Sequence, residues 1–147
     1  MVVDNLSDNL IHRMIADDVY WVPTLELWYG TGHYGTEAAA NLGKFFKAGG
    51  KVALGTDYAG YTCPFDLGMP IREMKWMIGA GMTPMQVIVA ATKNAAHVCN
   101  LEAELGTLEV GKTADVLFVN GNPLKNIDAL LNVRMVIHGG EIIRNSR

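Results

Sequence analysis

The stretch KVALGTDYAG, residues 51–60, decides the fold class predicted for this chain. Its apolar residues 52–54 have the composition of a buried parallel strand, and a Gly-Thr pair ends the run. Asp57 follows at the carboxyl end, where ligands and catalytic groups collect in α/β folds. A carboxylate there can bind a metal or accept a proton from water. From the residues alone a structural alternative stays open, in which Asp57 caps a turn or a helix in the loop of residues 58–62.

The segments before this stretch alternate between helix and strand. Ser7 or Asp8 can cap a helix with apolar residues at the helical period, and residues 19–22 read as a β-branched and aromatic strand. Residues 24–37 are predicted as a Gly-rich loop, and residues 38–48 as a helix that ends at a glycine pair. This order predicts βα units with a parallel sheet.

Two more helices and a small β unit are predicted after the stretch. Pro70 fits the first turn of one helix, and Thr83 begins a second, apolar helix that continues to residue 98. From residue 105 the pattern changes to a short strand at 115–119, a helical turn and a hairpin over 133–144. We expect two units, 1–104 and 105–147.

Length and composition exclude several classes of protein. The 147 residues, half of them hydrophobic, suit one ordinary globular domain. A net charge of -3 without a basic run argues against nucleic acid or anionic lipid as a partner. Cys63 and Cys99 form no paired motif, and neither a signal peptide nor a membrane-spanning run is evident. We expect a cytoplasmic protein.

Three further residues are candidates for substrate binding. Glu26 and His33 lie in the segment after the predicted strand 19–22, and Tyr58 follows Asp57. The structural alternative for Glu26 is a solvated loop glutamate.

Other ionisable residues are given structural roles. Glu73, between Arg72 and Lys75, reads as part of a solvated helix face. The remaining histidines are also given structural positions: His12 on a helix surface, His97 in the last turn of a helix, and His138 in a turn or a strand.

An ordered set of motifs resembles the C-terminal part of the amidohydrolase superfamily, with the greatest likeness to imidazolonepropionase-like and prolidase-like hydrolases. The motifs are VPTL at 22–25, VALGTD at 52–57, GMTPMQVIVAATKNAA at 81–96, LGTLEVGKTADVLFVNGNPL at 105–124 and VRMVIHGGEII at 133–143. Together they span nearly the whole chain in the family's order.

The resemblance implies an α/β fold, the C-terminal part of a (β/α)8 TIM barrel, followed by the C-terminal half of a small β-sandwich. Residues 19–25 would be barrel strand seven, residues 52–57 strand eight, and residues 71–98 the closing helices. It also implies that Asp57 is a metal-site acid that activates the hydrolytic water. The complete enzyme would use a divalent metal, zinc, and a small-molecule substrate with a C–N bond.

The remaining metal ligands of the family have no counterpart in this sequence, and one aspartate does not hold zinc in a hydrolytic geometry. We therefore expect a fragment that is inactive alone. Unpaired barrel edges predict self-association or pairing with a complementary N-terminal half. The alternative is a non-catalytic binding or regulatory module that uses the aromatic residues of segment 28–34.

Overall fold

The computed structural model describes residues 4–32, 34–57 and 68–146. In chain order its elements are α1 (Asp8–Ala16), β1 (Tyr20–Trp21), α2 (Leu25–Gly30), α3 (Gly35–Lys47), β2 (Lys51–Val52), α4 (Ile71–Gly79), α5 (Pro84–Ala91), α6 (Lys93–Val98), β3 (Val116–Val119), a 3-10 helix (Ile127–Leu131), β4 (Val133–His138) and β5 (Glu141–Asn145). None of the described helices combines the length and apolar character that crossing a membrane requires.

The two strands predicted before and within the opening stretch pair in parallel. Tyr20 lies opposite Lys51 and Trp21 opposite Val52, and the Ala53 N–H extends the pairing with a 3.0 Å bond to the Trp21 carbonyl. The α/β class and the parallel pairing are thus confirmed, although each strand is shorter than predicted. That these strands are the seventh and eighth of a barrel stays a prediction.

The edge of β2 that faces away from β1 contacts the junction of α5 and α6. The Leu54 N–H donates to the Ala90 carbonyl at 3.0 Å, and the Asn94 side-chain amide donates to the Val52 carbonyl at 2.7 Å. The expectation of a wholly unpaired edge is therefore wrong for this side of β2, because helical groups take the place of a neighbouring strand.

The helix predicted from Thr83 to residue 98 is two helices. Thr83 and Gln86 form the expected capping box at the start of α5. The backbone leaves helical geometry at Thr92 (φ −121°, ψ −85°), whose hydroxyl donates to the Ile88 carbonyl at 2.8 Å. Threonine hydroxyls that bond back to the preceding turn bend helices. The break brings Asn94 to β2.

A second sheet, antiparallel and ordered β3-β4-β5, follows the helices. Gly139 and Gly140, at φ 59° and 85°, form the two-residue turn of the predicted hairpin, as a primed turn requires. The 3-10 helix confirms the predicted helical turn, and its Ile127 and Leu130 belong to the hydrophobic core that also contains Phe45 of α3 and Met77 of α4.

The segment predicted as a loop, residues 24–37, instead contains α2 and the start of α3. The prediction failed because the N-cap residue of α2, Thr24, makes no side-chain capping bond. The acceptors for the first N–H groups of α2 come from a distant element, and no local sequence signal marks them.

Candidate functional site

The candidate site is the carboxyl edge of the parallel pair. Because β1 and β2 are parallel, their continuations, residues 22–26 and 53–57, leave the sheet at the same edge. The two continuations are in close contact, since a Cβ added to Gly55 would lie 2.6 Å from the Val22 Cγ1 atom. Any side chain at position 55 would force them apart, which explains the glycine.

Each continuation contains a non-glycine residue in the left-handed region, Thr24 at φ 51° and Asp57 at φ 46°. Among the described residues Asp18 and Asn100 also have positive φ, but they directly follow the C-caps of α1 and α6, where this conformation is common. Thr24 and Asp57 follow no helix. A β-branched residue in this region is strained, and such strain concentrates at functional sites.

Asp57 lies where the sequence predicted, at the end of the segment that continues β2, and its side chain is exposed to solvent. Across residues 4–32, 34–57 and 68–146, no three His, Cys, Asp or Glu side chains are grouped so that they could hold a metal ion. The described residues therefore do not complete a metal site around Asp57. The candidates His33 and Tyr58 lie outside the described residues and stay predictions.

Glu26 is not the solvated loop residue that the sequence favoured. It is buried in α2, with 7% of its surface exposed, and the Nε group of Arg72 donates to its Oε1 atom at 2.7 Å. The Nη2 group of Arg72 donates to the same oxygen. The charge of Glu26 is thus compensated across the contact between α2 and α4.

Glu73 of α4 is the residue that sequence reasoning missed, because the prediction of a solvated face is wrong. Its side chain is fully buried, and its Oε1 and Oε2 atoms accept the N–H groups of Leu25 at 2.9 Å and of Glu26 at 2.6 Å. Its position four residues before the buried Met77 is the available sequence signal, since such residues share a helix face.

Burial dominates the ionisation of Glu73. Loss of solvation raises the pKa of its carboxyl group to about 7, against the opposing effect of the Glu26 and Leu25 N–H donors. The negative charge of Glu26 raises the pKa further. Glu73 is therefore a carboxyl group whose charge changes near neutral pH, directly behind the segment that continues β1.

Two of the histidines, His97 and His138, make their contacts outside the candidate site. His97 stacks on Tyr20, the first residue of β1, with ring centroids 4.5 Å apart, and its Nδ1 atom lies 3.1 Å from Glu102. The Nδ1 atom of His138 lies 3.0 Å from Asp115 beside the hairpin turn. These contacts agree with the structural roles expected for both.

Comparison with known proteins gives a family match over most of the chain. Residues 9–143 match the model of the amidohydrolase family. An imidazolonepropionase of Geobacillus sp. (strain WCH70) is 33% identical over 141 residues, which are 96% of this chain and 31% of that protein. An imidazolonepropionase of Symbiobacterium thermophilum is 40% identical over 81 residues, or 55% of this chain and 19% of that protein.

A solved structure with a similar fold is that of a Xaa-Pro dipeptidase with methionine bound in the active site. It superposes with a TM-score of 0.84 at 27% sequence identity, over 95% of this chain and 38% of the dipeptidase chain. The chain thus spans well under half the length of the relatives it matches.

Proposed function

Because the chain belongs to the amidohydrolase family, we propose that it is part of a metal-dependent hydrolase of C–N bonds in which Asp57 is the acid of the site. The observation that carries the proposal is the position of Asp57 at the shared carboxyl edge of β1 and β2, in a left-handed conformation. Catalytic groups in α/β folds are held at this edge.

The chemistry that Asp57 can supply is proton transfer. Its side chain is exposed, so water can reach the carboxylate. A carboxylate in this position accepts a proton from an attacking water and returns it to the leaving nitrogen. We expect a divalent metal, zinc, in the complete enzyme, with Asp57 among its ligands. The described residues do not complete that metal site, so the role proposed for Asp57 within this chain is proton transfer.

The proposed substrates are small molecules with a cyclic amide or dipeptide-like C–N bond. The relatives named imidazolonepropionase and Xaa-Pro dipeptidase support this class. His33 and Tyr58 remain candidates for substrate contacts. The buried Glu26 would act on the substrate indirectly, by anchoring the segment after β1 through its bond to Arg72. Because this chain spans 31% of the Geobacillus protein, we propose that hydrolysis requires residues beyond it. We also propose that the protein acts in the cytoplasm.

The test uses a full-length amidohydrolase, as long as the relatives, that contains the sequence of this chain. Asp57→Asn keeps the shape of the side chain but removes its basicity, and we expect turnover to fall by about 10²- to 10⁴-fold. Asp17→Asn, at an exposed position beyond α1, is the matched control and should retain activity. Near-normal turnover in Asp57→Asn would contradict the assignment.

Exposed apolar residues support the further proposal that this chain associates with itself or with a complementary partner. On the edge strand β5, Ile142 and Ile143 are 60% and 63% exposed. Leu108, in the segment before β3, is 74% exposed. Exposed apolar edge strands favour pairing with another chain. Light scattering across a concentration series should show oligomers, and a monomer at every concentration would overturn self-association. Failure of the chain to bind a separately expressed N-terminal part of a relative would overturn the complementary partner.

A further inference from the structure

We propose that Glu73 is a positioning residue, whose buried carboxylate holds the segment after β1 at the candidate site by capping the first turn of α2. The part of this inference that concerns catalysis rests on the proposed function. The capping itself can be tested without any activity.

Helix α2 has no side-chain cap from its own N-cap residue. The first N–H groups of a helix have no acceptor within the helix, and a side chain at the N-cap position commonly takes them. Thr24 occupies that position in a left-handed conformation and makes no such bond. Glu73 instead accepts the first two N–H groups, those of Leu25 and Glu26, one on each carboxylate oxygen.

Two neighbouring residues of α4 bind the two polar groups of Glu26, its backbone N–H and its carboxylate. Glu73 accepts its backbone N–H, and Arg72 donates to its side-chain carboxylate. The ring of Tyr29 in α2 also stacks on that of Trp76 in α4, with centroids 3.7 Å apart. Helix α4 thereby holds the start of α2 at the backbone and at a carboxylate, and its last turn at an aromatic ring.

The charged residues on the helices packed against Glu73 are paired or exposed. The charged group of α2 that acts on Glu73 is Glu26, which is compensated by Arg72. The 3-10 helix contributes Asp128, which pairs with Lys75 at 2.7 Å. Helix α5 contains no charged residue, and the charged residues of α3 are exposed. The N–H groups of α2 are therefore the polar partners that the structure gives the Glu73 carboxylate.

These contacts bear on the site because Thr24 immediately precedes α2 in the segment that runs beside residues 53–57. Release of Leu25 and Glu26 would free Thr24 from its strained conformation. The segment that runs beside Gly55 at the shared edge would then lose its fixed position.

The test is a comparison of the full chain with its Glu73→Gln variant by NMR. The Gln amide keeps one acceptor oxygen but replaces the other oxygen with an NH2 group, which only donates, so it cannot accept one N–H on each terminal atom as the carboxylate does. We expect the exchange protection of the Leu25 and Glu26 amides to fall roughly tenfold or more, while that of Leu42 in α3 stays unchanged. Glu141→Gln on the exposed strand β5 is the matched control and should leave all three unchanged. Undiminished protection of Leu25 and Glu26 in folded Glu73→Gln would overturn the proposal.

A second measurement keeps the proposal testable if Glu73→Gln does not fold. In the wild-type chain, the amide signals of Leu25 and Glu26 should shift together with a common midpoint near pH 7, as the carboxyl group that they contact ionises. A purely space-filling role for Glu73 would not couple these two signals to pH. The absence of a pH-linked shift in either amide from about pH 3 to about pH 9 would also overturn the proposal. Neither measurement depends on hydrolytic activity. Failure of the capping proposal can therefore be told apart from failure of the proposed function.

Discussion

The backbone N–H of Glu26 donates a 2.6 Å hydrogen bond to the carboxylate of Glu73, which lies 47 residues later in the chain. This bond joins the segment after β1 to the helix that follows β2. It fixes the start of α2 to α4 through a carboxylate that is removed from solvent.

The burial of Glu73 predicts how stability depends on pH. Its pKa in the folded chain is about 7, above the ordinary value of 4.5, so the folded state retains a proton that the unfolded chain releases. The free energy of unfolding should therefore fall as pH rises from about 4.5 to about 7, by roughly 1–3 kcal/mol from this group. Urea denaturation at a series of pH values measures it. Glu73→Gln should flatten this part of the profile, and an unchanged slope in the variant would contradict the prediction.

Replacement of Glu26 should affect both stability and the ionisation of Glu73. Glu26→Gln removes the charged partner of Arg72, and the half-exposed guanidinium limits the cost to about 1–2 kcal/mol. Loss of the negative charge should also lower the pKa of Glu73, because Glu26 raises it. Denaturation and the NMR midpoint of the Leu25 amide measure the two effects. Glu141→Gln serves as the control, and a raised midpoint in Glu26→Gln would be the wrong sign.

Asn94 should stabilise the edge of β2. Its amide donates to the Val52 carbonyl at 2.7 Å, so Asn94→Ala leaves a carbonyl of a buried residue without this donor. We expect a loss of about 1 kcal/mol in the free energy of unfolding. Asn9→Ala on the exposed face of α1 should change it by less than about 0.5 kcal/mol. Equal effects of the two substitutions would show that the bond to β2 contributes nothing.

The strained backbone of Thr24 predicts a stabilising substitution. Glycine adopts the left-handed region without the cost of about 1–3 kcal/mol that a β-branched residue bears there, and it loses about 0.5–1 kcal/mol through chain entropy. Thr24→Gly should therefore raise the free energy of unfolding by about 1 kcal/mol. Thr36→Gly, within α3, should lower it instead. A destabilised Thr24→Gly would mean that the threonine side chain makes a compensating interaction.

Elements with a local physical cause could be predicted from the sequence. Ser7 accepts the Leu10 N–H at the start of α1, and the Thr83 capping box and the Gly139 turn also lie where the sequence indicated. The position of Asp57 at the strand end could also be predicted, because a buried apolar run comes shortly before it in the sequence.

Features with a distant cause could not be predicted. Helix α2 depends on a carboxylate 48 residues after Leu25, and the bend at Thr92 brings Asn94 to a strand more than 40 residues earlier. Glu73 was misread because its charged neighbours, Arg72 and Lys75, do face outward, whereas Glu73 shares the face of Met77. The apolar surroundings of Glu73 form only on folding. The uncapped N–H groups of α2 that its carboxylate accepts also come together with it only in the folded chain.

The contribution of Ile127 and Leu130 to the same core as Phe45 and Met77 has a consequence for how the chain unfolds. The last third of the chain cannot melt without exposing apolar surface on α3 and α4, so its loss and theirs form one cooperative event. In calorimetry such a chain gives a single transition whose van't Hoff and calorimetric enthalpies agree. A truncation that removes the 3-10 helix would thus weaken the helices as well as the sheet that follows them.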